Sequence, residues 1–367
     1  MVALCTTLPV AQTQAPRDPL AAFHSALSNA SQRRARVVVY GASHTAGDEY
    51  TSIVRKRLQD RYGDAGPGWV LPGSPFSYYH HARVQIVARG WRGLKVRGRD
   101  RMRTEYGYAG FAVESASATS RMVPDVPVDH VELHYQGRAG GGTIRVATSA
   151  GELATIDTSD TRGPQRRAFE LDAPTNEIAI EVRGGTVRIF GVVLERRGSG
   201  ITLDAFGVPG ARVWDQVPWR DTSIRSQLET RPPDLWALAY GTNESALNRV
   251  TMREYRRRLG VAVERWKTWA PHASCMLIGP GEWPRRTRRG WVARPRTREI
   301  IATQREVATA HGCAFFDTFA MMGGEGSMVR WVAEGLAIGD HVHFTEAGYQ
   351  RMGLALHRAL SPRAPER

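Results

Sequence analysis

Hydrophobic and polar positions follow two rhythms along this chain. Near its start, Arg36 to Tyr40 (RVVVY) is a short β-branched run that stops at Gly41, and the stretch from Asp48 to Tyr62 then takes a helical period. A buried strand, a glycine-bearing turn and a helix form the first unit of an α/β sheet. The same rhythm resumes from Ile201. It gives strand-like Leu235 to Tyr240, a helix from Thr251 to Trp269, strand-like Cys275 to Ile278, a helix from Thr297 to Ala310, strand-like Cys313 to Phe316 and a last helix from Glu346 to Leu360. With right-handed crossovers as the rule, this alternation predicts a three-layer α/β/α domain around a parallel sheet.

Between Pro75 and Arg197 the pattern changes to short alternating runs. Val131 to Tyr135, Thr143 to Val146, Glu177 to Val182 and Thr186 to Phe190 are separated by Gly, Asp and Asn turns. Repeated short strands without helices between them predict a β-sandwich, jelly-roll-like module inserted into the first domain. The expected organisation is an N-terminal segment over 1–34, flexible in part, an α/β domain formed by 35–74 and 198–361, an inserted β-module over 75–197 and a tail over 362–367.

Composition changes little in this picture. Of 367 residues, 42% are hydrophobic and 23% charged, ordinary values for a soluble globular chain. The net charge of +14 would suit an anionic partner. No helix-turn-helix, zinc-finger or RNA-binding signature accompanies it, and the lysines are only Lys56, Lys95 and Lys267, so the charge is an arginine bias and no nucleic-acid partner is expected. Cys5, Cys275 and Cys313 are too few for a disulfide framework or a four-ligand zinc site. Cys275 and Cys313 sit in apolar runs and read as packed free thiols. No stretch reaches the roughly 18 to 20 apolar residues of a transmembrane helix. Met1 to Ala15 lacks a basic n-region, so it reads at most as a truncated export signal, and Leu4 is too large for a lipidation box before Cys5.

Four stretches carry chemistry. In Gly41-Ala42-Ser43-His44-Thr45-Ala46-Gly47-Asp48 a serine stands just past a strand and at the threshold of a helix, where its hydroxyl is exposed and backbone N–H groups can meet negative charge. Standing alone, such a serine is more often a helix cap. In Asp340-His341-Val342-His343 a carboxylate lies three residues before an imidazole, a spacing that can orient the ring for general-base work. The bland alternative is a solvated turn. A metal site on His341 and His343 is the runner-up, and no further cluster supplies the remaining ligands. Asn243, in Tyr240-Gly241-Thr242-Asn243-Glu244, again follows a strand and can donate an amide to an oxyanion, although it also suits a plain turn. In Phe206-Gly207-Val208-Pro209-Gly210-Ala211 a glycine would let backbone approach a substrate oxygen.

In order and in placement relative to strands, these four stretches resemble the conserved blocks of the SGNH (GDSL-like) hydrolases. The resemblance implies Ser43 as nucleophile, His343 as general base and Asp340 as its orienting carboxylate. It implies an oxyanion hole of the Ser43 N–H, the Gly210 N–H and the Asn243 side chain, with Gly207 as the alternative glycine, and it requires neither metal nor organic cofactor. The usual Gly-Asp-Ser is here Gly41-Ala42-Ser43, and Glu244 stands where many members have aspartate.

The flanking runs Arg61 to Gly68 and Gly326-Ser327-Met328 through Gly335-Leu336, with the β-rich insertion, are similar to the bacterial peptidoglycan O-acetylesterases. That narrower resemblance implies an acetylated cell-envelope glycan as substrate and a periplasmic, envelope or secreted location. A general esterase, lipase or thioesterase, and a non-catalytic glycan-binding protein, are the competing readings. Oligomeric state is not legible. On the substrate side, Trp283, Arg285 and Trp291 belong to a loop that follows a core strand and should overhang the active-site edge, and Tyr79 stands at the entry to the insertion. For the loop the alternative is a solvated basic segment, and for Tyr79 it is packing at the junction.

Overall fold

Five strands form one parallel sheet in the order Gly200–Gly207, Arg34–Gly41, Leu235–Ala239, Ser274–Ile278 and Ala314–Phe316. The computed structural model describes residues 18–97, 105–216, 218–219 and 221–362. Residues 1–17, with Cys5 and the candidate export and lipidation signals, and 363–367 of the tail lie outside the described residues.

The central strand explains the layers. Val37 and Val39 face one side, where they share a core with Phe23 and Leu27 of the helix Ala21–Ser28, with Tyr50, Val54 and Leu58 of Glu49–Tyr62, and with Met352 and Leu356 of Glu346–Leu360. Val38 and Tyr40 face the other side, toward Tyr255, Leu259 and Trp266 of the helix Met252–Trp269 and Ile300 of Pro295–Ala310. A strand buried on both faces requires an unbroken apolar run instead of alternation, which is what RVVVY supplies. The α/β/α architecture is thus as expected.

Two antiparallel sheets occupy the chain between the first parallel strand and its neighbour Gly200–Gly207. One runs Gly163–Thr175, Val128–Gly137, Val187–Glu195, Phe111–Ser115, Arg92–Lys95, with Gly68–Val70 also paired to Val187–Glu195. The other runs Val84–Arg89, Ala118–Pro124, Ile178–Arg183, Thr143–Thr148, Gly151–Asp157. Their inner faces meet in one apolar cluster that includes Val113, Leu133, Val146 and Ile180 and continues into the α/β core through Tyr40, Phe206 and Trp266. Polar contacts join the same units: Tyr40 Oη donates to Tyr108 O at 2.7 Å, and Asp204 Oδ1 accepts the Trp69 N–H at 2.9 Å.

The free-thiol expectation for Cys275 and Cys313 is corrected. Both are buried, and they form a disulfide with a Cα–Cα distance of 4.7 Å. Met276 pairs with Ala314 on adjacent parallel strands, so the preceding residues fall side by side although 38 positions separate them in sequence. Spacing alone could not disclose that neighbourhood.

Candidate active site

Three of the four chemistry-bearing stretches leave the sheet at one edge. Gly41 is in register with Gly207 on one side and with Ala239 on the other, so Ser43, Gly210 and Asn243 all follow the carboxyl ends of adjacent parallel strands. Open α/β sheets place ligands at that edge. Gly207 has a steric reason of its own, since a Cβ there would stand 2.2 Å from Ala46 N, and the short helix Ser43–Ala46 could not lie as close to the strand. Gly210, with φ of +73°, is the glycine on the loop beyond.

The fourth stretch arrives from the C-terminal helix, whose N-cap is Thr345. His343 Nε2 lies 2.8 Å from Ser43 Oγ, and His343 Nδ1 lies 2.6 Å from Asp340 Oδ2. A carboxylate only accepts, so Nδ1 carries the proton and Nε2 is left to receive the serine hydroxyl. The other Asp340 oxygen accepts the backbone N–H groups of Val342 and His343 at 2.8 and 3.0 Å, which fixes the turn. Burial alone would raise the Asp340 pKa, but the His343 ring and these two N–H groups outweigh it and hold the carboxyl below its ordinary value. A hydroxyl, an imidazole and a carboxylate in file can deprotonate the hydroxyl during attack on a carbonyl and return the proton to the leaving group.

Asn243 Nδ2 donates to Ala211 O at 2.9 Å, which sets the asparagine against the loop of Gly210. An amide nitrogen carries two protons, so the second is left for another acceptor. Glu244, next along, is buried, with one carboxyl oxygen accepting the Val213 N–H and the other the Gly241 N–H. Burial pushes its pKa up to about 7 against these N–H donors.

Several supporting residues were not singled out by sequence. His44 Nδ1 lies 3.0 Å from Tyr349 Oη, and its ring centroid lies 5.1 Å from that of His343. Burial, with the neighbouring His343 acting in the same direction, lowers the His44 pKa to about 3, so this second imidazole stays neutral. Asp48 ends the Ser43 loop with φ of +55°. Its carboxylate accepts both terminal nitrogens of Arg55 at 2.8 and 2.9 Å, the Thr51 hydroxyl at 2.6 Å and, from the β-rich region, the Ala82 N–H at 3.1 Å. Burial alone would raise its pKa, yet the Arg55 guanidinium brings it down to about 2. The only sequence signal was an acid seven positions before an arginine on a helical stretch.

The suggested metal pair is differently engaged. His341, with φ of +57°, puts Nδ1 3.0 Å from Gly339 O and stacks flat on Trp291, ring centroids 3.7 Å apart, while both His343 nitrogens serve the file above. Among the described residues no group of three or more His, Cys, Asp or Glu could hold a metal ion. Of the substrate-side candidates, Trp291 therefore touches the Asp340–His343 turn, Arg285 is exposed on a small hairpin with it, and Trp283 lies under the Arg294 guanidinium at 4.5 Å. Tyr79 Oη accepts the Leu71 N–H at 2.8 Å, and its ring packs on Phe111 beside a cleft of about 560 Å³ lined also by His80, Gln85 and Asp125.

Comparison with known proteins adds independent observations. The GDSL-like Lipase/Acylhydrolase family model matches residues 176–351. A solved structure of a peptidoglycan O-acetylesterase superposes with a TM-score of 0.80 at 26% identity, over 94% of this chain and 95% of that one. An acetylxylan esterase from Geobacillus stearothermophilus covers 44% of this chain and 73% of its own at 20% identity, with a TM-score of 0.34. A family two carbohydrate esterase from Clostridium thermocellum covers 68% and 93% at 9% identity, with a TM-score of 0.35. No curated protein matches.

Proposed function

We propose that the chain is an SGNH (GDSL-like) hydrolase resembling the peptidoglycan O-acetylesterases, a serine esterase removing O-acetyl groups from a carbohydrate, with a cell-envelope glycan such as peptidoglycan as substrate. The observation that carries this reading is the file Ser43–His343–Asp340, with separations of 2.8 and 2.6 Å at the sheet edge where Gly210 and Asn243 also emerge. Its whole-length likeness to a peptidoglycan O-acetylesterase supports the choice of ester.

In this reading His343 Nε2 takes the Ser43 proton as Oγ attacks the acetyl carbonyl, and Asp340 holds the ring in the needed tautomer. The Ser43 N–H, the Gly210 N–H and the free Asn243 amide proton face the oxyanion. Collapse of the tetrahedral intermediate breaks the bond to the sugar oxygen, which leaves with the proton held by His343. Water, deprotonated by the same imidazole, then releases acetate and restores Ser43. No step calls for a metal or an organic cofactor. Residues 35–74 and 198–361 act as the catalytic domain and 75–197 as a module that helps present the glycan.

The disulfide Cys275–Cys313 supports an oxidising compartment, so the proposed location is periplasmic, envelope-bound or secreted. Among the described residues no helix is long and apolar enough to cross a membrane. The test is acetate release from O-acetylated peptidoglycan and from the same material chemically de-acetylated. Release from the first alone is expected, and none from either removes the reading.

A further inference from the structure

The segment after the strand Ser274–Ile278 forms a two-stranded hairpin with Arg285 opposite Val292, Arg286 opposite Trp291 and Thr287 opposite Gly290. Its turn is closed locally, since Thr287 Oγ1 donates to Gly290 O at 2.9 Å and accepts the Arg289 N–H at 3.2 Å. Its base is pinned by buried Glu282, which accepts the N–H groups of Gly326 and Met328, each at 2.7 Å. Its second strand is fixed to the turn bearing Asp340 and His343 by the flat stack of Trp291 on His341. The hairpin is therefore an ordered rim against the turn whose His343 reaches Ser43.

Arg285, Arg286, Arg288 and Arg289 are all exposed on it. Other arginines nearby have acids, such as Arg298 with Glu325 and Arg305 with Asp317 at 2.8 Å. Among the described residues none of these four has a carboxylate within ion-pair distance, and Arg285 is close enough to Arg294 to oppose its charge. Both tryptophans are half-buried and stacked on neighbours, Trp291 on His341 and Arg286 and Trp283 on Arg294, so the most exposed groups of the hairpin are guanidinium forks. Such forks match carboxylates in charge and in planar two-point geometry.

We propose that this hairpin is a carboxylate-binding subsite, which selects acetylated glycans bearing carboxylates and holds them while the ester lies at Ser43. The proposal rests on the esterase reading and adds the class of polymer and the residues that choose it. One exposed ion pair contributes little, so selectivity requires several arginines acting together and falls as salt screens them.

The experiment compares kcat/KM on O-acetylated peptidoglycan fragments with that on the same fragments after carbodiimide amidation of their carboxylates. The wild type is expected to prefer the carboxylate form at low ionic strength and less so in about 1 M salt, where the screening length is about 3 Å against roughly 10 Å at about 0.1 M. Joint substitution of Arg285→Gln, Arg288→Gln and Arg289→Gln should reduce that preference about tenfold. Removing the same charge from the solvent face of the helix Met252–Trp269, by Arg253→Gln, Arg256→Gln and Arg257→Gln, should leave the preference intact, which separates a subsite from net charge. Equal turnover of both forms by the wild type, or an unchanged preference in the hairpin variant, overturns the subsite alone. Turnover of neither form overturns the esterase reading, and the subsite with it.

Discussion

The Glu244 carboxylate and the Val213 N–H meet at 2.9 Å, tying the loop beyond Gly210 to the turn that carries Asn243. The other oxygen of Glu244 accepts the Gly241 N–H at 3.0 Å. One buried side chain thus fixes the spacing of two of the three suggested oxyanion donors. A longer acid at this position, where many family members have aspartate, still satisfies two buried N–H groups that would each cost about 1 to 3 kcal/mol if left unpaired.

Stability should carry the signature of this residue. Burial raises its pKa from 4.5 to about 7, so the folded chain keeps a proton that the unfolded chain has already lost. The protonated carboxyl's advantage is complete below pH 4.5 and is lost as pH rises through about 7. Thermal melts of the wild type and Glu244→Gln across that window should show a downward slope in the wild type that the variant lacks. Parallel curves would contradict it.

Asp48 works in the opposite direction. Its carboxyl is held at about 2 against an ordinary 3.8, so its stabilisation is present above pH 3.8 and is lost as pH falls through 2. Asp48→Asn leaves the fully buried Arg55 without a counter-charge, and denaturant unfolding at pH 7 should show a loss of about 3 to 5 kcal/mol. A change under about 1 kcal/mol would show that the pair is replaceable.

The disulfide closes a separation of 38 residues. Loop-closure entropy for that length corresponds to about 4 kcal/mol, so reduction, or the pair Cys275→Ser and Cys313→Ser, should lower the unfolding free energy by roughly that amount. Equal stability with and without reductant, or three titratable thiols instead of one in the untreated denatured chain, would contradict the bond.

Asn243 offers a kinetic test. A donor that meets negative charge only in the transition state affects kcat and not substrate affinity, so Asn243→Ala should lower kcat about a hundredfold or more with KM little changed. A fall confined to KM would make it a structural turn residue.

Much of this molecule was legible in its sequence, for identifiable reasons. Strands buried on both faces leave unbroken runs such as Val37 to Tyr40, and helices leave a period that no strand imitates, so the parallel sheet was readable. Ser43, Gly210, Asn243 and the Asp340–His343 pair stood out because each follows a strand or opens a helix. What could not be read depends on contacts between distant segments. Cys275 meets Cys313 only because their strands are neighbours, and Trp291 reaches His341 only because a hairpin folds back over the C-terminal turn. Asp48 and Arg55 look like ordinary helix-surface charges until the sheet and the β-rich region cover them.

The central claim, that Ser43 attacks the ester with a proton relayed to His343, is tested most directly by acetyl-ester turnover in Ser43→Ala, with circular dichroism to verify the fold. Loss of activity to the uncatalysed background, in a protein that still melts cooperatively, is the predicted result. Undiminished acetate release would contradict the account, whatever the 2.8 Å between Oγ and Nε2 suggests.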